Sequence, residues 1–184
     1  MKKGILLGAL TGAIVAFVWS FLSWAVLPWH KTSFKDFCNA EEVAMVIKKN
    51  ATCGQGVYLL PGCCGGDEEQ FHKKYQCGPI MFAAVTPEGK NFNMAPNLII
   101  QFITLFVAAG IISYIVASFT KSSYGFRLLI ATLVGIFSAW MMAVPSWNWW
   151  SFPVSFSLVE FFDNTIMWFL AGLAIAKFAH HVKA

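Results

Sequence analysis

Two acids and an amide, Glu160, Asp163 and Asn164, interrupt an otherwise apolar stretch near the C-terminus. Their spacing of i, i+3 and i+4 puts them on one face of a helix. Acids within membrane spans are costly and often mark proton or ion paths. A structural reading competes for Glu160, because Ser157-Leu158-Val159-Glu160 has the pattern of a capping box. Acids in a first turn also complement the helix dipole. Asp163 and Asn164 lie one turn deeper and require partners, for which His30, Lys31 or a tryptophan N–H group qualify. Trp147-Asn148-Trp149-Trp150 forms a second candidate. With Trp24, Trp29 and His30 it can roof a cavity over Asp163, its indole faces suiting a lipid headgroup, a quinone or a partner helix. Simple anchoring at the membrane interface is the competing role, since tryptophan concentrates there.

The third set is the five cysteines, Cys38, Cys53, Cys63, Cys64 and Cys77, all between residues 28 and 97. Disulfides persist outside the cytosol and brace segments too small for a large core. Cys38 with Cys53, and Cys77 with Cys63 or Cys64, are the expected pairs; an odd count leaves one thiol over. A metal site built from Cys53, Cys63, Cys64, His72 and Cys77 is the sharper alternative. It lacks the paired knuckles of structural zinc and any C-x-x-C redox motif. No nucleotide loop and no nucleophile–base pair is visible, so no catalytic residue, metal or cofactor is assigned. The His180-His181 pair reads as a solvated helix end.

The elements that must position these residues follow from composition. The chain has 184 residues, 58% hydrophobic and 12% charged, with a mean hydropathy of +0.62 and a net charge of +4. Soluble domains carry about 25% charged residues, so much of this surface is suited to lipid. Disorder and nucleic-acid binding are disfavoured by the same numbers. Four apolar runs reach the roughly 20 residues a membrane helix needs: Gly4 to Leu27, Leu98 to Phe119, Phe126 to Val144, and Leu158 to about Lys177. Prolines 28, 96 and 145 are expected to bound them. The run after Lys2-Lys3 is longer than a secretory signal's core and reads as a retained span.

Basic residues orient the chain with both termini cytoplasmic: Lys2 and Lys3, Lys121 and Arg127, and Lys177 and Lys183 share one side, and 145–157 has no Lys or Arg. The expected organisation is a first span (1–27), an extracytoplasmic cysteine-rich segment (28–97), and three further spans (98–184) with an aromatic outer loop at 145–157. Small residues recur every fourth position in each span, which lets membrane helices approach closely. Examples are Gly4, Gly8 and Gly12, then Ala131, Gly135 and Ala139. In the outer segment, Asn39 to Glu42 can cap a short helix that buries Val43, Val46 and Ile47. Val57 to Leu60 and Ile80 to Val85 read as paired strands.

Trp19-Ser20, Ser23-Trp24, Leu27-Pro28-Trp29-His30, Gly56-Val57-Tyr58, Trp147-Asn148-Trp149-Trp150 and the 168–173 Trp-Phe-Leu-Ala-Gly-Leu run resemble landmarks of a group of small bacterial four-helix inner-membrane proteins. That group has no assigned activity, so the resemblance implies a bacterial inner membrane and transfers no site. The insertion from Cys53 to Cys77 departs from it. Cys63-Cys64-Gly65 matches a tetraspanin motif, but tetraspanins carry their large loop after the third span. The claudin pattern of a large first loop lacks its W…G-L-W…C…C arrangement here.

The fold class expected is therefore an all-α membrane bundle with a small disulfide-braced α+β outer segment. The leading function is non-enzymatic: assembly with a membrane-protein partner or second copy, or contact with membrane lipid. A transporter element using Asp163 and Glu160 is one alternative. A redox or metal-handling protein using the cysteines is another.

Overall fold

The computed structural model describes residues 2–62, 67–119 and 121–179. Cys63, Cys64 and the His180-His181 pair lie outside them. The fold is mostly helical, with four long apolar helices able to cross a membrane and one two-stranded sheet. Cα packing divides the chain into two units: residues 1–34, 93–145 and 153–184, and residues 35–92 with 146–152.

The first unit is the bundle. It holds α1 (Lys2–Phe21), a π-helical turn (Leu22–Val26), α2 (Trp29–Ser33), α5 (Met94–Ser118), most of α6 (Tyr124–Trp150) and α7 (Val154–Phe178). Its core is built mainly from small side chains. Ala13, Ala16, Ala109, Ala131 and Ala171 are fully buried, with Ile175 and Val116 the bulkiest apolar side chains so enclosed. A Cβ on Gly12 would stand 2.7 Å from Ile175 of α7 and 3.2 Å from Ala109 of α5. One on Gly8 would stand 2.7 Å from Ser113 Oγ and 2.8 Å from Ala179. The spacing of small residues thus sets how closely α1 seats against α5 and α7. Gly135 admits Trp168 in the same way where α6 meets α7. Arg127 adds a polar tie, its Nε donating to the Ala176 carbonyl at 2.8 Å in the last turn of α7, where a cation complements the helix dipole.

Two boundaries differ from expectation. The third span does not stop at Pro145; α6 runs through it to Trp150. Proline removes only its own N–H bond and crowds one carbonyl, which membrane helices accommodate. Pro96 also lies inside its helix, in the first turn of α5, where its missing N–H has no intrahelical partner to lose. The fourth span begins at Val154 behind Pro153 rather than near Leu158. Ser157 is therefore inside α7 and makes no cap: its Oγ is buried without a hydrogen-bond partner among the described residues.

The second unit contains α3 (Ala40–Asn50), β1 (Gly56–Leu60), α4 (Glu68–Cys77) and β2 (Met81–Val85). The strands pair antiparallel, Gly56 opposite Val85 and Leu60 opposite Met81. Asn39 caps α3, accepting from the Glu42 N–H at 3.1 Å and donating to the Glu42 carboxylate at 3.0 Å. No residue of α3 is fully buried, and Val46 is exposed, contrary to the expected apolar face. Phe82 of β2 packs on Trp150, ring centroids 4.5 Å apart, and on Phe152.

The expected disulfide bracing is not seen. Cys38, Cys53 and Cys77 are free and exposed. Cys38 and Cys53 flank α3, whose 11 residues at about 1.5 Å per residue separate them by far more than the roughly 7 Å limit between bridged Cα atoms. The pairing expected of Cys77 with Cys63 or Cys64 falls outside the described residues.

Candidate functional site

The residues that could do chemistry in the bundle converge on His30. Leu27 is extended and Pro28 starts α2, so the chain leaves α1 and lays a five-residue helix beside α7. Just before it, the π-helical turn carries an i→i−5 bond, Leu27 N–H to the Leu22 carbonyl at 3.0 Å. Such turns insert one residue into a helix and recur at functional sites. Here the turn holds Ser23, fully buried.

His30 is only 1% exposed. Its Nε2 lies 3.1 Å from Asp163 Oδ2 and 3.0 Å from Ser23 Oγ. Its Nδ1 lies 3.5 Å from Glu160 Oε1. Trp19 Nε1 donates to Asp163 Oδ1 at 2.6 Å, and Trp29 Nε1 donates to Ser23 Oγ at 3.0 Å. Trp24 stacks on the imidazole, centroids 3.9 Å apart and planes 12° from parallel. Phe34 packs against Trp24 and Phe156.

Serine, histidine and aspartate occur together, but they do not form a nucleophilic triad. That chemistry needs serine and carboxylate on opposite ring nitrogens, whereas Ser23 and Asp163 share Nε2. Glu160 does stand opposite Ser23, on Nδ1, but at 3.5 Å it makes no hydrogen bond there, and Ser23 is fully buried with its Oγ accepting from Trp29. Two acids bracketing one imidazole point away from a shared metal position, and no cluster of three or more His, Cys, Asp or Glu suited to a metal occurs among the described residues.

No family model, curated protein or solved structure matches this chain.

His30, Glu160, Asp163, Trp24 and Trp29 are therefore brought together. Asn164 is not: its Nδ2 crosses to Ser138 Oγ of α6 at 3.0 Å. One helical face divides between two neighbours, because positions three and four residues on from Glu160 lie to either side of it. Trp147, Asn148, Trp149 and Trp150 form the exposed end of α6, in the second unit, with Trp149 and Trp150 lining a small apolar cleft there beside Phe82, Tyr75 and Leu60. His72 is on α4, exposed, 3.8 Å from Glu68. Trp19 and Ser23 are site residues that the sequence marks only as landmarks of a resemblance, not as part of a site. Their i, i+4 spacing, one turn before Pro28, is the signal that could have drawn attention to them.

Proposed function

We propose that this chain is a non-enzymatic, multi-pass protein of the bacterial inner membrane that presents an aromatic rim to lipid or to a membrane-protein partner. Both termini are cytoplasmic in this reading, which rests on Lys2, Lys3, Lys121, Arg127, Lys177 and Lys183 falling on one side. The His30 cluster then lies at the outer end of the bundle. One observation carries the functional part: the imidazole at the centre of the cluster is closed to its surroundings, yet it holds exposed aromatic faces in place. His30 is 1% exposed, while Trp24 stacked on it is 49% exposed and Phe34 beside Trp24 is 55% exposed. Large apolar groups kept at a polar boundary are what lipid and protein interfaces use.

Native mass spectrometry of the protein released from its own membranes tests this. A bound lipid or protein should be retained by the unaltered chain and depleted in Trp24→Ala and Phe34→Ala variants. Equal retention in all three would sink the proposal.

Transport is the second reading, favoured by one further observation: α7 supplies a carboxylate to each nitrogen of a buried imidazole. Proteoliposomes in which a pH gradient collapses with the unaltered protein, but not with Asp163→Asn, would favour it over the first.

A further inference from the structure

We infer that His30 and Glu160 together bind one proton, and that this proton latches α2 onto α7. The inference concerns the joint itself and does not depend on what the aromatic rim contacts.

It follows from counting donors. Asp163 Oδ1 receives the Trp19 N–H, and Ser23 Oγ receives the Trp29 N–H. Asp163 Oδ2, at 3.1 Å from Nε2, is the natural acceptor for an Nε2 proton. The Ser23 hydroxyl, 3.0 Å away, could donate to Nε2 only if that nitrogen were bare, which would set the Asp163 carboxylate against a lone pair at 3.1 Å; the hydrogen of a neutral imidazole is therefore placed on Nε2, leaving Nδ1 bare. Opposite Nδ1 stands Glu160 Oε1, at 3.5 Å. Both atoms are buried and neither has a hydrogen-bond partner among the described residues. With imidazole neutral and Glu160 ionised, two lone pairs would face each other out of reach of solvent, at a cost of the kind that buried unpaired acceptors carry. One proton resolves the conflict. On Nδ1 it gives an imidazolium donating to both carboxylates; on Glu160 it gives a carboxyl group donating to Nδ1. A slight rotation of the Glu160 carboxyl closes the 3.5 Å gap in either form. The proton comes from water and returns to water.

The groups facing the imidazole are few. From α7 come Glu160 and Asp163, both acidic. From α1 and the π-helical turn come Trp19, Ser23 and Trp24, none of them charged. Trp29 lies edge-on to the imidazole from α2 itself. With the proton the cluster carries one net negative charge; without it, two, beside a ring that can then donate to only one of them. The latched form binds one proton more than the released form. Linkage therefore makes latching weaken as pH rises, by up to tenfold per pH unit, over the range in which the released form has lost the proton and the latched form still holds it.

The test uses the full chain in lipid nanodiscs. Nitrogen-15 spectra of the histidines, with His30 assigned from a His30→Gln variant, report which ring nitrogens carry hydrogen. Infrared difference spectra of unaltered protein and Glu160→Gln report a protonated Glu160. A proton at neutral pH on both ring nitrogens, or on Nε2 together with Glu160, is the expected result. Hydrogen exchange at the α2 amides, corrected for its intrinsic pH dependence, should then rise with pH in the unaltered protein. It should rise less in Glu160→Gln, whose amide can donate to a bare Nδ1 without binding a proton. A ring carrying one hydrogen, on either nitrogen, beside an ionised Glu160 at neutral pH overturns the inference. So does α2 exchange whose rise with pH is the same in both proteins. Should Glu160→Gln fail to fold, the nitrogen spectra of the unaltered chain, with infrared difference spectra between low and high pH for its carboxyl groups, decide.

Discussion

The bundle and the 35–92 unit solve opposite packing problems. In the bundle, backbone polar groups are satisfied within helices, and association rests on backbones brought close by Gly8, Gly12 and Gly135. A few polar side chains, His30 and Asp163 foremost, add directional bonds that apolar packing lacks. The 35–92 unit has short elements, a two-stranded sheet and little enclosed core; Ala51 is its buried apolar residue among those described. Local devices hold it: the Asn39 and Asp67 caps, the strand ladder and the Phe82–Trp150 contact. A change in the bundle should therefore propagate, and a change in the other unit should stay local.

The largest expected effect comes from Asp163→Ala. It strips an acceptor from Trp19 and His30 together, and loss of one partner of a buried charged pair costs about 3–5 kcal/mol. Thermal unfolding in detergent micelles should fall sharply, with Asp163→Asn intermediate because its carbonyl still accepts from Trp19. Next is Gly135→Leu, which forces a side chain into Trp168; overpacking of this kind costs about 1–3 kcal/mol. Gly125→Ala, in open space on the same helix, serves as its control and should shift unfolding by under about 1 kcal/mol. Smaller still is Asn39→Ala, at about 1 kcal/mol for a lost cap. Hydrogen exchange should quicken in α3 and remain unchanged in α1, α5 and α7. Were Asn39→Ala to loosen the bundle as well, the contrast between the two units would collapse. Smallest is Cys38→Ser with Cys53→Ser, for which melting and non-reducing gel mobility should both be unchanged, since these thiols form no bridge.

Much of the bundle was legible in the sequence because lipid imposes a simple rule on length and polarity. All four spans can be read from their apolar runs, and small residues at every fourth position mark the buried faces. Proline was the weaker guide. Its effect depends on whether a missing N–H has a partner to lose, and Pro145 and Pro96 both sit inside helices. For the site, the need of Asp163 for a partner is plain from its depth in an apolar helix. That His30 and a tryptophan N–H meet that need depends on the turn after α1, which hydropathy cannot report. The capping-box pattern at Ser157 misled because a helix can start four residues earlier on a proline. The cysteines misled through composition: number and compartment suggest bridging, but a helix of 11 residues holds Cys38 and Cys53 apart.

The π-helical turn at Leu22–Val26 has a consequence for how this chain tolerates insertion and deletion. Its extra residue is a phase correction. Removing one residue from the turn would close it to an ordinary α-helical turn and leave the phase of everything beyond nearly unchanged, whereas removing one from the regular part of α1 would rotate everything beyond by about 100°, the angle of one residue at 3.6 per turn. In the second case His30 would swing off the α7 face while every hydropathy measure of the span stayed nearly the same. A deletion at Ala25 or Val26, both exposed, should therefore be tolerated better than one inside α1.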